Sequence, residues 1–507
     1  MTKLNRRTSW VLAAALAMVG ATLPAPAAAY GPSTMVTPSG YCSRPYCITY
    51  VKSAQLPSGT IVASYEDNNQ PLDNNMRFPI WTSTNNGASW SRTSSVPDTS
   101  PRRWGNWGNP FLYVLPQQIG DMPAGTLLMA GLNSPPDRSQ IAIQLFRSND
   151  EGATWSWVSE ITLGGGQWGS ANPTPVWEPY LLVANNKLIV YYSDERDKSR
   201  HDQKLVHQTS TNGVNWGPVV EDVALADRNL RPGMPVVTRM ANGQYIMVYE
   251  MVGQAGTPNN FKVSSDPESW NPADPGTTID HGGSPYITTM PNGRLAYNSG
   301  DSTDIRINTG NGAGPWTPVK TLVPWGYSRQ LQYVRGTGRM LILAADGFWT
   351  NRPNPVHYGD VDLGHSAGAY YKLVNRHSGK VLDVSQANLR DGGDVVQWAD
   401  NGGANQHWHV TDIGGGYRTF FNRNSGRALG VLEGSTADGA TAVQWVENNN
   451  PDQQWQLAQV GAYYKIVNRR SGKVLGVLGG TTADGGQAVQ WADTGALDQQ
   501  WQLVRVP

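Results

Sequence analysis

Two glutamates carry the chemistry this chain is equipped to do. Glu178 stands in Trp177-Glu178-Pro179-Tyr180, at the mouth of a strand-like run that reaches Lys187-Leu-Ile-Val-Tyr-Tyr192. Pro179 biases Glu178 away from helix and removes one backbone donor from the next position. The flanking rings can dry the carboxylate and give a sugar ring a surface to stack on. Glu250 sits in a second apolar run, Tyr245-Ile-Met-Val-Tyr-Glu-Met-Val252. Taken singly, either glutamate reads as readily as a salt-bridged structural acid. Together they suit cleavage of a glycosidic bond, in which one carboxylic acid protonates the leaving oxygen and one carboxylate attacks or activates water. Arg196, in Asp194-Glu-Arg-Asp197, and Arg231, in Arg231-Pro-Gly-Met-Pro235, can hold one carboxylate ionised while burial keeps the other protonated.

Further candidates surround this pair. Trp104, Trp107, Trp168, Trp177 and Tyr180 are rings that could stack on sugars, with about half expected to be core instead. Asn172, Arg196, Arg231, Tyr286 and Tyr327 could bond hydroxyls. His207 and His281 read as structural. The His, Asp and Glu residues show no convincing metal-ligand spacing, so neither a metal nor any other cofactor is expected.

The elements that must position the glutamates form a repeat between residues 40 and 360. Its unit is a turn followed by an apolar strand. Six copies occur: Pro57-Ser-Gly-Thr-Ile-Val-Ala, Pro123-Ala-Gly-Thr-Leu-Leu-Met, Asn185-Asn-Lys-Leu-Ile-Val, Ala241-Asn-Gly-Gln-Tyr-Ile-Met, Pro291-Asn-Gly-Arg-Leu-Ala and Gly336-Thr-Gly-Arg-Met-Leu-Ile. Between them lies Ser148-Asn-Asp-Glu-Gly-Ala-Thr-Trp155, a full Asp-box, with close variants ending at Trp90 and Trp216 and degraded ones ending at Trp270 and Trp316. In such a turn Asp150 bonds backbone amides, Gly152 takes positive φ and Trp155 locks into the sheet. The pattern predicts an all-β, six-bladed propeller, with a strand near Tyr41 to Val51 closing the last blade. Five blades would make one of the six units a stray hairpin. Glu178 and Glu250 are roughly 70 residues apart, about one blade, so adjacent blades can bring them together on the axis.

Composition bounds the class. Thirty-nine basic and 39 acidic residues cancel, so no nucleic-acid or other polyanionic partner is implied. Only 15% of residues are charged, while Gly numbers 56 and Trp 20, a balance suited to short strands, turns and neutral sugars. Residues 1–29 read as an export signal: Lys3, Arg6 and Arg7, an apolar stretch from Trp10 to Leu23, then Ala27-Ala28-Ala29 before Tyr30. The mature protein is expected to be secreted, extracellular, unanchored to a membrane and monomeric. Export makes a disulfide between Cys42 and Cys47 plausible, two thiols being the alternative.

A second, regular repeat runs from about 368 to 507. Tyr371-Lys-Leu-Val-Asn-Arg-His-Ser-Gly-Lys returns as Phe420-Phe-Asn-Arg-Asn-Ser-Gly-Arg and Tyr464-Lys-Ile-Val-Asn-Arg-Arg-Ser-Gly-Lys. Gln406-His-Trp408, Gln453-Gln-Trp455 and Gln499-Gln-Trp501 repeat in step. Three copies ending in Gln-x-Trp resemble the ricin-type β-trefoil lectins. The resemblance implies a sugar site in each lobe, which in the first lobe falls on Asp383, Trp398, Asn405 and Gln406. Gly430 and Gly476 stand where Asp383 does, so the second and third lobes, which keep Trp445 with Asp452 and Trp491 with Asp498, are expected to be weak or dead. Each of these tryptophans could equally be core.

The first segment also carries a resemblance. Trp177-Glu-Pro-Tyr, Tyr191-Tyr-Ser-Asp-Glu-Arg-Asp, His207-Gln-Thr-Ser-Thr-Asn-Gly, Arg231-Pro-Gly-Met-Pro and Val248-Tyr-Glu, in that order, resemble the exo-arabinanases of glycoside hydrolase family 93. That resemblance implies a sialidase-like, six-bladed propeller that releases arabinobiose from the non-reducing end of α-1,5-L-arabinan with retention, using Glu178 as nucleophile and Glu250 as acid/base. The expected organisation is 1–29 leader, 30–365 catalytic propeller and 366–507 lectin, the last holding the enzyme at plant cell-wall polysaccharide. Two other readings compete. A sialidase would need three arginines and a tyrosine nucleophile, for which Arg44 and Tyr327 are the available residues. A secreted sugar-binding protein would need no catalysis.

Overall fold

A computed structural model describes residues 30–39, 42, 46–167, 169–171, 173–291, 293–335, 337–346, 354–363, 370–414, 416–445 and 450–506 of the chain. Its first part is six four-stranded antiparallel sheets. The first strands of the six, Ile48–Gln55, Asn106–Val114, Val176–Ala184, Arg231–Arg239, Tyr286–Thr289 and Gln330–Val334, touch one another in turn, and the sixth touches the first. They therefore line a common axis, and the ring is closed. Each is followed by a hairpin into a second strand, and those hairpins are the six turn–strand units of the sequence.

The second strands are nearly continuous runs of aliphatic residues because blades cover them on both faces. Leu127–Asn133 is buried at every position. Side chains from successive blades merge into clusters such as Leu128, Leu145, Leu188, Val190, Val248 and Ile342. At the Ser148–Trp155 turn, Asp150 Oδ1 accepts the Thr154 N–H at 2.9 Å, Gly152 has φ +93°, and Trp155 donates to Gly152 O at 3.0 Å.

Closure differs from the expectation. The strand that completes the sixth blade is Ser33–Val36, pairing with Val356–Val361. The stretch proposed for that role runs instead into Ile48–Gln55, the axial strand of the first blade. The apolar Ile48-Thr-Tyr-Val looked like an outer closing strand only because the short Ser33-Thr-Met-Val carries little signal. Cys42 and Cys47 are joined in a disulfide between these two strands.

The axial strands share one distortion. Tyr50, Asn109, Glu178, Met234, Ser284 and Ser328 all have positive φ, between 47° and 62°, one per blade. In the first four blades the pairing register slips there, between Thr49 and Lys52, Gly108 and Phe111, Trp177 and Tyr180, and Gly233 and Val236. These four bulges, and in the last two blades the left-handed Ser284 and Ser328 just ahead of the strand, re-aim side chains and amides towards the axis.

The second part, Tyr370 to Arg505, is one three-fold arrangement of short strands and 3-10 turns. Trp408, Trp455 and Trp501 are fully buried at its centre, each donating its indole N–H to a leucine carbonyl, Leu382, Leu429 and Leu475 respectively, at 2.9–3.0 Å. It meets the propeller through Arg239 with Asp391 at 3.0 Å and through Tyr370 Oη donating to Arg335 O at 2.7 Å. Arg239 ends an axial strand and Arg335 follows another, so this contact lies on the face opposite the six left-handed residues.

Candidate active site

The bulges open into a cleft of about 1040 Å³ on the propeller axis, lined by Glu66, Glu178 and Glu250 among others. Glu178 occupies the bulge of the third blade, with φ +60°. Its backbone N–H donates to Asn109 Oδ1 at 3.1 Å. Asn109 is itself fixed by Glu66, whose Oε2 accepts the Asn109 N–H at 3.1 Å and the side-chain amide at 3.3 Å.

The Glu178 carboxylate collects donors from three blades. Oε1 accepts Tyr50 Oη at 2.9 Å, and Oε2 accepts Ser193 Oγ at 2.8 Å and the Met234 N–H at 2.9 Å. Burial raises its proton affinity, while these three hydrogen bonds and the Arg231 charge pull the other way.

Glu250 is differently held. It lies near the end of Tyr245–Val252, the second strand of the fourth blade, and is 5% exposed. Oε2 accepts the Ser284 N–H at 2.7 Å, and Tyr327 Oη donates to Oε1 at a long 3.4 Å. Burial, and then the Glu178 charge, push its carboxyl from 4.5 up to about 7. With one firm donor against three, Glu250 is the group that keeps a proton near neutrality.

The two carboxylates face each other across Gly233. A Cβ at that residue would lie 3.3 Å from Glu178 Oε2 and 3.4 Å from Glu250 Oε1, so the two oxygens are no further apart than the sum of those distances. A side chain there would also press on Gln203 Nε2 at 2.8 Å. Gln203 belongs to a buried bracket: Arg231 donates to Glu195 Oε1 at 2.6 Å and Gln203 Oε1 at 2.9 Å, and Gln203 donates to Pro232 O at 2.8 Å.

Of the other sequence candidates, Trp107, Trp177, Arg231 and Tyr327 line this cleft. Tyr180 and Tyr286 do not. They face a smaller axial chamber below it, Tyr180 donating to Val237 O at 2.8 Å and Tyr286 accepting from Gln330 at 3.2 Å. The one-residue slip between Trp177 and Tyr180 breaks the alternation that would give Tyr180 the same face as Glu178. Arg196 is a structural tie, bonded to Asp194 at 2.7 Å and to Thr162 and Tyr192 at 2.9 and 3.1 Å. Trp104 lies outside the cleft with the Arg102 guanidinium 4.5 Å over its ring. Trp168, Asn172 and Arg44 fall outside the described residues.

Sequence reasoning missed Tyr50, Glu66, Asn109, Ser193, Met234 and Ser284. One signal was available. Asn109-Pro110, Glu178-Pro179, Met234-Pro235 and Ser284-Pro285 place a proline after the bulge residue in four successive blades.

In the trefoil, Asp383 is 4% exposed and accepts the Gln406 side-chain amide at 2.9 Å. Trp398 is 43% exposed on the paired strand, in which Asp383 faces Val396 and Val381 faces Trp398. Asn405 donates to Val384 O at 3.1 Å. Gln406 is fully buried and spends its amide on Asp383 and Ala399 O, so it orients the site from within the core.

Comparison with known proteins agrees with both parts. The model of ricin-type β-trefoil lectin-like domains matches residues 361–445 and 451–507. No match was found among curated proteins. Among solved structures, an α-L-arabinanase of Penicillium chrysogenum complexed with arabinobiose is 36% identical, over 67% of this chain and 99% of that one, with a TM-score of 0.62. The family 93 α-L-arabinofuranosidase of Fusarium graminearum, also with arabinobiose, is 34% identical over the same shares, with a TM-score of 0.61. With the whole of these relatives spanned at this identity, the chain belongs to glycoside hydrolase family 93 and carries a ricin-type β-trefoil lectin domain behind its propeller.

Proposed function

We propose that this protein is a secreted, retaining exo-hydrolase of α-1,5-L-arabinan that releases arabinobiose from the non-reducing end, with Glu178 as nucleophile and Glu250 as acid/base. The observation that carries the reading is the opposed pair across Gly233, one carboxylate anchored by three donors and the other pushed to about 7. Glu250, protonated, gives its proton to the leaving glycosidic oxygen while Glu178 attacks the anomeric carbon. A covalent glycosyl-enzyme forms. Glu250, now a carboxylate, takes a proton from water; the hydroxide adds to the anomeric carbon, and Glu178 leaves with its electron pair. Two inversions give net retention. Tyr50, Ser193 and the Met234 amide favour the ionised form of Glu178 against its burial and aim it for the first step.

Arabinan as substrate is favoured by the arabinobiose held in both relatives. Export is favoured by the leader-like residues 1–29. The Tyr327–Glu250 contact is the one observation favouring a sialidase-type variant, with Tyr327 attacking and Glu250 as its base. Chromatography of the products from linear arabinan, with anomeric configuration by NMR, separates the readings. The expected product is arabinobiose of retained configuration. Glu178→Ala is expected to lose at least about 10²-fold in kcat/KM, and azide should restore turnover as an inverted glycosyl azide. Azide rescue of Glu250→Ala with inversion would exchange the two roles. Hydrolysis of an activated sialoside, with none of arabinan, would refute the assignment.

A further inference from the structure

One buried charge on the axis has no part in the proton transfers above. Lys52 lies on Ile48–Gln55, the axial strand of the first blade, and is 7% exposed. Its ammonium donates to three oxygens, none of them a carboxylate: Ser328 Oγ, Ser328 O at 3.0 Å and Val51 O at 3.4 Å. The Tyr50 and Tyr286 rings stand 5.9 and 5.8 Å from it. Burying an ammonium with no carboxylate bonded to it is unfavourable. Burial pushes the Lys52 amine down to about 7, and the Glu178 charge works the other way. Lys52 lines the small axial chamber together with Glu178 and does not line the cleft. That chamber, of about 30 Å³, has room for about one or two waters and none for a sugar. Lys52 therefore acts on the reaction only through other groups.

Two routes run from the ammonium to the reacting pair. The first is a chain of hydrogen bonds. Lys52 holds Ser328 by its hydroxyl and its carbonyl, the Ser328 N–H donates to Ser284 Oγ, and the Ser284 N–H donates to Glu250 Oε2 at 2.7 Å. Ser328 and Ser284 are left-handed, with φ 62° and 50°, a conformation that persists only where its surroundings support it. The second route runs through space to the Glu178 carboxylate, across the chamber that both groups line, where burial limits screening. We propose that Lys52 is a positioning residue for both glutamates: its charge favours the anionic form of Glu178 against burial, and its bonds to Ser328 fix, through Ser284, the amide that orients Glu250. The inference rests on the two-glutamate reading of the site. The other charged or titratable groups around Glu178 are Tyr50 and Glu66 from the first blade, Arg231 and Glu250 from the fourth, and Tyr327 ahead of the sixth axial strand. Arg329, the second cation at the chamber, spends its guanidinium on Thr303 O at 3.0 Å and Thr321 Oγ1 at 2.8 Å.

Lys52→Met in the full chain tests this, by kinetics on linear arabinan and by calorimetry. kcat is expected to fall about 10²-fold with KM within about threefold, because the reacting groups shift while no substrate contact is lost. The acid limb of the kcat/KM profile, set by ionisation of Glu178, should move up by about half a pH unit, since a cation that favoured the carboxylate is gone. The alkaline limb carries no such signature, being shared by Glu250 and Lys52, both near 7. Lys52→Gln keeps a donor for Ser328 O without the charge. It should show the same shift with a smaller loss of kcat, and it serves if the methionine variant does not fold. Calorimetry needs no turnover. At pH 6 the Tm change caused by removing the Lys52 charge should be more favourable in a Glu178→Gln background than in the parent, where the partner charge is present. A parent inactive on arabinan would refute the substrate reading and leave the Tm comparison to judge Lys52. The proposal is overturned if the Lys52 variants keep the parent's pH profile, or if the Tm change is the same in the two backgrounds.

Discussion

Glu250 is buried beside a second carboxylate, and both circumstances raise its proton affinity. The consequence for activity has a sign. The first chemical step needs Glu250 protonated, so kcat/KM should fall as pH rises through about 7. The consequence for stability has the same direction. The carboxyl titrates near 4.5 when unfolded and near 7 when folded, so ionisation is harder in the native state and stability is lost as pH rises across that window. Glu250→Gln removes the cost while retaining an acceptor for the Ser284 N–H. Its Tm is expected to exceed that of the parent at pH 8 and to converge with it at pH 5, by calorimetry. A Tm gap that does not depend on pH would mean that Glu250 is not the group titrating there. Burial raises the Glu178 carboxyl as well, but its three donors and the Arg231 charge oppose that rise.

At the scale of elements, the axial strands decide the site, and their bulges explain what the sequence did and did not disclose. The six blades were legible because a Gly or Asn turn followed by an aliphatic run is a local signal repeated six times. Glu178 and Glu250 were legible because carboxylates in apolar runs conflict with their surroundings. Tyr50, Asn109 and Ser284 were not, since an ordinary polar residue becomes functional only when a left-handed bulge turns it towards the axis. The same slip breaks the alternation that would put Tyr180 on the face of Glu178. Gly233 is the surface across which the carboxylates meet. Gly233→Ala should leave Tm within a few degrees of the parent, because the atom the methyl meets most closely, Gln203 Nε2 at 2.8 Å, is the tip of a side chain. Activity should fall about 10²-fold through displacement of Gln203 and the reacting groups. Near-normal kcat/KM in this variant would contradict the opposed geometry.

For the whole molecule, the two halves meet on the face away from the cleft. Arg239 reaches Asp391, which Arg427 also holds at 2.7 Å, and Tyr370 bonds Arg335 O, all at the far ends of the axial strands. Among the described residues none of the trefoil lines the cleft, and the contribution proposed for it is tethering. The propeller is complete without it, since Ser33–Val36 and Val356–Val361 close the sixth blade before Tyr370 begins. Tyr30 secures that closure, its N–H donating to Asp360 Oδ1 at 3.0 Å and its hydroxyl to Asn86 O at 2.8 Å. On a soluble trisaccharide, encounter is diffusive and a remote sugar site gains nothing. On insoluble arabinan, several weak sites multiply residence at the surface without touching the transition state. Truncation after residue 363 should accordingly lower the rate on insoluble arabinan several-fold and leave kcat/KM on arabinotriose within about twofold. Equal losses on both substrates would show that the back-face contact shapes the cleft itself, and that tethering is not the trefoil's role.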